Sequence, residues 1–203
     1  MPACGPDELH LQWATNYLEH VLLIQSLLPL LSKTASSYGD ARVVDIVSEG
    51  LILAPADKGI VFDDIKTKQE YGFGARWKRY GQSELAQVLY MSRLAHQNST
   101  SSSIAIHPGV VGTDLVKALN FADRLLVYAM STVMSPEDGC KNSLWGATAP
   151  RRSVENGACY HPIAEPGKQT RWTRDGNLAW KLWKWTEEAL QPYMAWFSAI
   201  LLS

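Results

Sequence analysis

The sequence predicts an α/β domain: a partial parallel sheet of about three strands joined by crossover helices. A β-branched run at 41–48 and short strand-like runs at 104–107 and 157–161 alternate with long helical patterns, an order that fits parallel strands with helices crossing between them. The run 41–48 is apolar with little alternation, as in a strand covered on both faces. The 203 residues, 46% hydrophobic and 19% charged, are enough for one domain (1–203) with a sizeable core.

Taken in order, Asp7 is a fair N-cap for a helix over 8–32, where Leu11, Ala14, Leu18 and Leu22 follow helical spacing. Pro29 marks its last turns, and 34–40 reads as a polar loop containing Gly39. The first strand ends at Ser48-Glu49-Gly50. The long Gly-containing connection over 51–74 has the character of a functional lid or wall. A helix over 75–97 places Leu85, Val88 and Leu89 on its inner face. The second strand breaks at Pro108-Gly109, and 115–133 is apolar and helical, suited to wall a pocket. Ser135-Pro136-Glu137-Asp138 is a helix start, with an N-cap Ser, Pro at the first helical position and acids behind it, for a helix ending near Thr148. The third strand follows, then a last helix over 177–190 and an apolar tail over 192–203, the C-terminal region after position 175 carrying four of the eight tryptophans.

Composition excludes several functions. A net charge of −1 argues against a nucleic-acid binder. Three scattered cysteines and five scattered histidines carry no metal-ligand spacing, and the odd cysteine count suits a reducing compartment. No secretory leader is visible, and the apolar runs 21–31 and 193–202 fall short of the roughly 20 residues that span a bilayer. These features predict a cytoplasmic protein with no transmembrane segment. His20, His107 and His161 read as structural.

The chemistry gathers on the third helical pattern. Tyr80 and Glu84 stand four positions apart and so share one helix face. A phenol with a charged neighbour is a plausible acid–base pair, because the neighbour decides how readily the phenol gives up its proton. Taken alone, such a pair is better explained as an exposed Tyr–Glu pair on an amphipathic helix.

The stretches 15–20, 42–50, Tyr80-Gly81-Gln82-Ser83-Glu84-Leu85-Ala86, His107-Pro108-Gly109-Val110-Val111-Gly112-Thr113, 135–139 and 182–188 together resemble the short-chain dehydrogenase/reductase family, in the family's order. The similarity is greatest to its retinol-dehydrogenase-like fungal branch. The resemblance implies a Rossmann-like sheet and places the family's four site residues at Asn16, Ser48, Tyr80 and position 84. It implies that Ser48 holds a substrate carbonyl, that Tyr80 moves its proton, and that Pro108, Gly109, Val110 and Thr113 match positions that touch cofactor.

Two departures qualify what the resemblance implies. Position 84 is Glu where the family has Lys, and a carboxylate beside Tyr80 raises the phenol pKa. The sequence also begins at what resembles the family's fourth helix, and the glycine-rich pyrophosphate turn is not among these residues; 72–77 follows no strand and lacks the third glycine. The expectation is therefore a truncated, divergent member with Tyr80, Ser48, Asn16 and Glu84 as catalytic residues, no redox cofactor, and vestigial cofactor contacts at Pro108, Gly109, Val110 and Thr113. It would act on an apolar small molecule of secondary metabolism by isomerisation, dehydration or cyclisation. An NADP(H)-dependent oxidoreductase and a non-catalytic pseudoenzyme are the alternatives. A homodimer through helices 8–32 and 75–97 is expected, with the first strand as an exposed sheet edge.

Overall fold

The computed structural model describes residues 11–112, 133–201 and a few positions between them. Asp7 and Glu8, Thr113 and most of the predicted helix 115–133 lie outside the described residues. Strands β1 (Arg42–Ile46), β2 (Ser102–Ile106) and β5 (Cys159–His161) form the expected parallel core. Val44 faces Ile104, Ile46 faces Ile106, and Ile106 in turn faces Tyr160. A short strand β6 (Glu165–Pro166) returns antiparallel beside β5, so the order is β1-β2-β5-β6. A separate two-stranded parallel ladder pairs β3 (Val110–Val111) with β4 (Val133–Met134). Its strands of two residues are too short to leave a periodic signal in the sequence. Among the described residues β1 ends the sheet.

The first helix departs from expectation at its far end. Helices α1 (Leu11–Trp13) and α2 (Glu19–Tyr38) run on from one another through a π-helical turn, Ala14–Leu18. Pro29 lies inside α2 without ending it, and the predicted loop 34–40 is helical as far as Tyr38. Termination falls to Gly39, which adopts φ 81° and donates its N–H to the Ala35 carbonyl at 2.8 Å, a left-handed cap that glycine takes without a Cβ penalty. The buried side of Ala35 keeps the last turns attached.

Helix α3 (Ala75–Gln97) is buried from Gly81 to Met91. Beneath it lies β2, and across its outer face runs the C-terminal helix α5 (Gly176–Leu201). The predicted helix 177–190 and tail 192–203 are thus one helix to Leu201, because Pro192 forbids only its own N–H bond and can be absorbed within a turn. Two tryptophans of α5 pack inward: Trp183 stacks on Tyr90 (5.1 Å, 11°) and Trp185 meets Trp13 edge-on at 5.7 Å. Tyr17 and Thr186 share a buried hydrogen bond of 2.6 Å. On the opposite sheet face, Ile104, Ile106, Val154 and Tyr160 form a smaller core with Trp145 of helix α4 (Pro136–Thr148). That helix is capped as predicted, the Ser135 hydroxyl accepting from the Asp138 N–H at 3.1 Å.

Candidate functional site

The carboxyl end of β1 and the first exposed turns of α3 meet over a single short segment. After β1 the chain extends through Val47 to Ser48, which caps a 3₁₀ turn, Glu49–Leu53, its Oγ accepting the Gly50 N–H at 3.1 Å. Two glycines allow this turn to lie against α3. A Cβ on Gly81 would strike the backbone at Leu53 and Ala54, and one on Gly50 would strike the Tyr80 ring. The sequence Tyr80-Gly81 therefore places the phenol where the helix can touch the segment carrying Ser48.

Tyr80, Glu84 and Ser48 form one hydrogen-bonded cluster. The Glu84 carboxylate accepts the backbone N–H of Ser48 at 2.7 Å, and the Tyr80 hydroxyl interacts with both the Glu84 carboxyl and the Ser48 side chain. Tyr80 is half-buried, whereas Glu84 is 5% exposed and lies behind it. Burial, followed by the charge of Glu84, pushes the Tyr80 phenol above its ordinary value, in the direction the sequence predicts. Burial also dominates at Glu84, helped by the nearby Asp45 carboxylate; the Ser48 N–H, His20 and Tyr80 oppose it. The net effect is a carboxyl raised to about 7.

Asn16 takes a different part. It sits in the π-helical turn and its amide donates to the Ser83 hydroxyl at 3.0 Å, while Ser83 donates to the Tyr80 carbonyl at 2.8 Å. It thus braces the backbone of α3 one residue from Glu84. Lys78 and Arg79 turn to the connection, donating to the carbonyls of Tyr71 (3.3 Å) and Gln69 (3.1 Å). Neither replaces the lysine that the family carries at position 84. Gly109 adopts φ 88° against the Met134 sulfur, and Val110 is held in the β3–β4 ladder.

Two side chains at the site escape a reading by motif. Buried Gln82 fastens the connection to α3: it accepts the Val61 N–H at 2.7 Å and donates to Gln69 (3.2 Å) and to the Tyr71 hydroxyl (3.1 Å). The predicted wall over 51–74 is thereby ordered, with a second 3₁₀ turn at Phe62–Asp64. The other is His20, whose Nδ1 lies 3.4 Å from the buried Asp45 carboxylate on β1. That hydrogen bond holds the imidazole above its usual range. A polar residue inside a β-branched strand was the only sequence signal for this pair.

The chain is 35% identical to a short-chain dehydrogenase/reductase of Aspergillus calidoustus, drtF, over 93% of its own length and 64% of the relative's. It is 34% identical to an uncharacterized oxidoreductase of Schizosaccharomyces pombe, covering 91% of itself and 56% of that protein. Human retinol dehydrogenase 14 matches at 29% over 89% of the chain and 52% of the relative. No family model matches. Among solved structures, an uncharacterized protein from Mycobacterium paratuberculosis superposes with a TM-score of 0.61 at 22% identity, over 93% of this chain and 62% of that one. The chain spans less than two thirds of the length of each of these proteins.

Proposed function

We propose, for a chain that belongs to the short-chain dehydrogenase/reductase family, that the Ser48–Tyr80–Glu84 cluster moves protons rather than hydride. The observation that supports this is the buried carboxyl of Glu84 behind Tyr80, hydrogen-bonded to the Ser48 N–H at 2.7 Å. In this arrangement Tyr80 is the group that meets substrate, and Ser48, whose oxygen accepts the Gly50 N–H, turns its own proton from the Tyr80 oxygen to a substrate carbonyl oxygen. Glu84 is the proton reservoir, with an affinity near neutrality that lets it hold or release a proton at working pH. The step common to isomerisation, dehydration and cyclisation of a carbonyl compound is enolisation. Tyr80 gives its phenol proton to the developing enolate oxygen while the proton on the adjacent carbon passes to a solvent water; Glu84 returns a proton to Tyr80 and is itself reprotonated from water, so no net proton is gained or lost. The substrate class that fits is an apolar carbonyl compound, since Trp77 meets Tyr80 edge-on at 6.3 Å and Ile52 and Leu53 are exposed beside it. We place such a substrate among secondary-metabolite intermediates.

The residues present do not fit a nicotinamide cofactor in the family's manner. A lysine at position 84 would bind the ribose and lower the Tyr80 pKa; Glu84 raises it, and its oxygens are engaged by Ser48 and Tyr80. The names of the relatives, dehydrogenases and reductases, favour a second reading as an NADP(H)-dependent oxidoreductase. Titrating the purified chain with NADPH and NADP, followed by tryptophan fluorescence, separates the two. Saturable micromolar binding supports the second reading and removes the first. Absence of quenching, with deuterium exchange beside the carbonyl of a bound enone that is lost in Tyr80→Phe, supports the first.

We also propose a homodimer through the helix surface. Because α5 occupies the outer face of α3, the row Leu23, Leu27 and Leu30 on α2, exposed at i, i+4 and i+7, is the part of the predicted interface left to a second copy.

A further inference from the structure

The proton-transfer reading gives Glu84 a partner set that neither the relatives nor the family's site residues supply. Asp45, on β1, is 7% exposed, and the charges of Asp45 and His20 both act on Glu84. Two buried carboxylates in one neighbourhood cannot both ionise cheaply, because their repulsion adds to the desolvation of each. Among the described residues, the basic group that acts on both is His20. His20 projects from α2 with its Nδ1 3.4 Å from Asp45, while 48% of its side chain is open to solvent. The remaining titratable neighbours are Glu19, which reinforces the charge on His20, Tyr17, whose phenol burial keeps neutral against Asp45, and Tyr80 on the helix of Glu84 itself. Ser48 adds an N–H but no charge.

From this juxtaposition we infer that His20 and Asp45 are positioning residues for the Tyr80 site: a half-exposed imidazolium on α2 neutralises the buried carboxylate of β1 and so sets how readily Glu84 holds its proton. The inference rests on the proton-transfer reading for its purpose, but it is tested without turnover. When His20 is charged, Asp45 is compensated and Glu84 feels a carboxylate and a cation together. When His20 is neutral, the uncompensated Asp45 charge disfavours ionisation of Glu84. The solvent-exposed imidazole edge makes this balance responsive to the medium, while the carboxyls themselves stay buried.

The experiment is a ¹³C NMR titration of the Glu84 carboxyl in the full chain, its resonance assigned by loss in Glu84→Gln. In His20→Gln the midpoint rises, by roughly half a unit to one unit, for loss of one partly screened charge. In Asp45→Asn it falls. In His20→Arg, which keeps a permanent cation, it stays at or below the wild-type value, which a merely structural role for the imidazole does not predict. A midpoint unchanged within about 0.2 unit in His20→Gln overturns the inference; this half-exposed position tolerates substitution even if Asp45→Asn does not fold. Saturable NADPH binding with these shifts present would remove the proton-transfer reading and leave the electrostatic coupling standing.

Discussion

The carboxylate of Glu84 accepts the backbone N–H of Ser48 at 2.7 Å, so the helix residue and the strand-end residue of the candidate site are tied directly to one another. That contact fixes what the glutamate can do. It holds the carboxylate beside the phenol, whose pKa its charge raises.

The raised affinity of Glu84 makes stability depend on pH. Its folded value of about 7 lies above the unfolded 4.5, so the folded state binds the extra proton. The resulting stabilisation is fully present below about pH 4.5 and is lost as pH rises through 7. Glu84→Gln keeps an acceptor for Ser48 but has no proton to lose. Thermal melts at pH 5 and pH 8 should show the variant gaining on wild type at the higher pH, by up to about 3 kcal/mol. An equal difference at both pH values would count against a perturbed Glu84.

Replacing the carboxylate by the family's residue tests the electrostatics from the other side. Glu84→Lys exchanges a charge that raises the Tyr80 phenol for one that lowers it. The ultraviolet tyrosinate titration should gain a component at lower pH, and that component should vanish in Tyr80→Phe/Glu84→Lys. Persistence of the component in the double variant would assign it to another tyrosine.

Gln82 should matter to the connection more than to the chemistry. Gln82→Leu leaves the Val61 N–H without its partner and frees Gln69 and Tyr71. A buried donor left unpaired costs about 1–3 kcal/mol. Urea denaturation should show that loss, and hydrogen exchange at Val61 should accelerate while the β1 and β2 amides keep their protection.

Much of this architecture was legible in the sequence because it follows from short-range pattern. The β-branched run of β1 and its placement beside β2, the Ser135 cap and the Tyr80–Glu84 spacing each depend on residues a few positions apart. The remainder depends on contacts that periodicity does not encode. His20 and Asp45 lie on different elements, and Gln82 reaches back to Val61 across an irregular connection. Helix ends were misplaced for a local reason: polar Thr34, Ser36 and Ser37 tolerate helix until Gly39 stops it, and Pro192 lies inside a helix without ending it. Asn16 occupies the predicted neighbourhood but braces Ser83, a distinction of one hydrogen bond that spacing cannot make.

The C-terminal helix supplies the sharpest test of how the helical layer is built. Tyr17 on the π-helical turn and Thr186 on α5 are both fully buried, and their hydroxyls meet at 2.6 Å. Tyr17→Phe removes one of the two partners of the Thr186 hydroxyl, which keeps its bond to the Leu182 carbonyl at 2.8 Å. The expected cost is therefore modest, about 1 kcal/mol. Trp183→Ala removes the stacked partner of Tyr90 and opens a cavity between α3 and α5, for about 3–5 kcal/mol. If α5 is the permanent cover of α3, Trp183→Ala should expose that face and promote self-association, while Leu27→Glu on α2 should weaken the proposed dimer without lowering the melting temperature of the monomer. Size-exclusion chromatography with light scattering reads both. A monomeric wild type that Leu27→Glu leaves unchanged would remove the dimer proposal and keep the intramolecular role of α5.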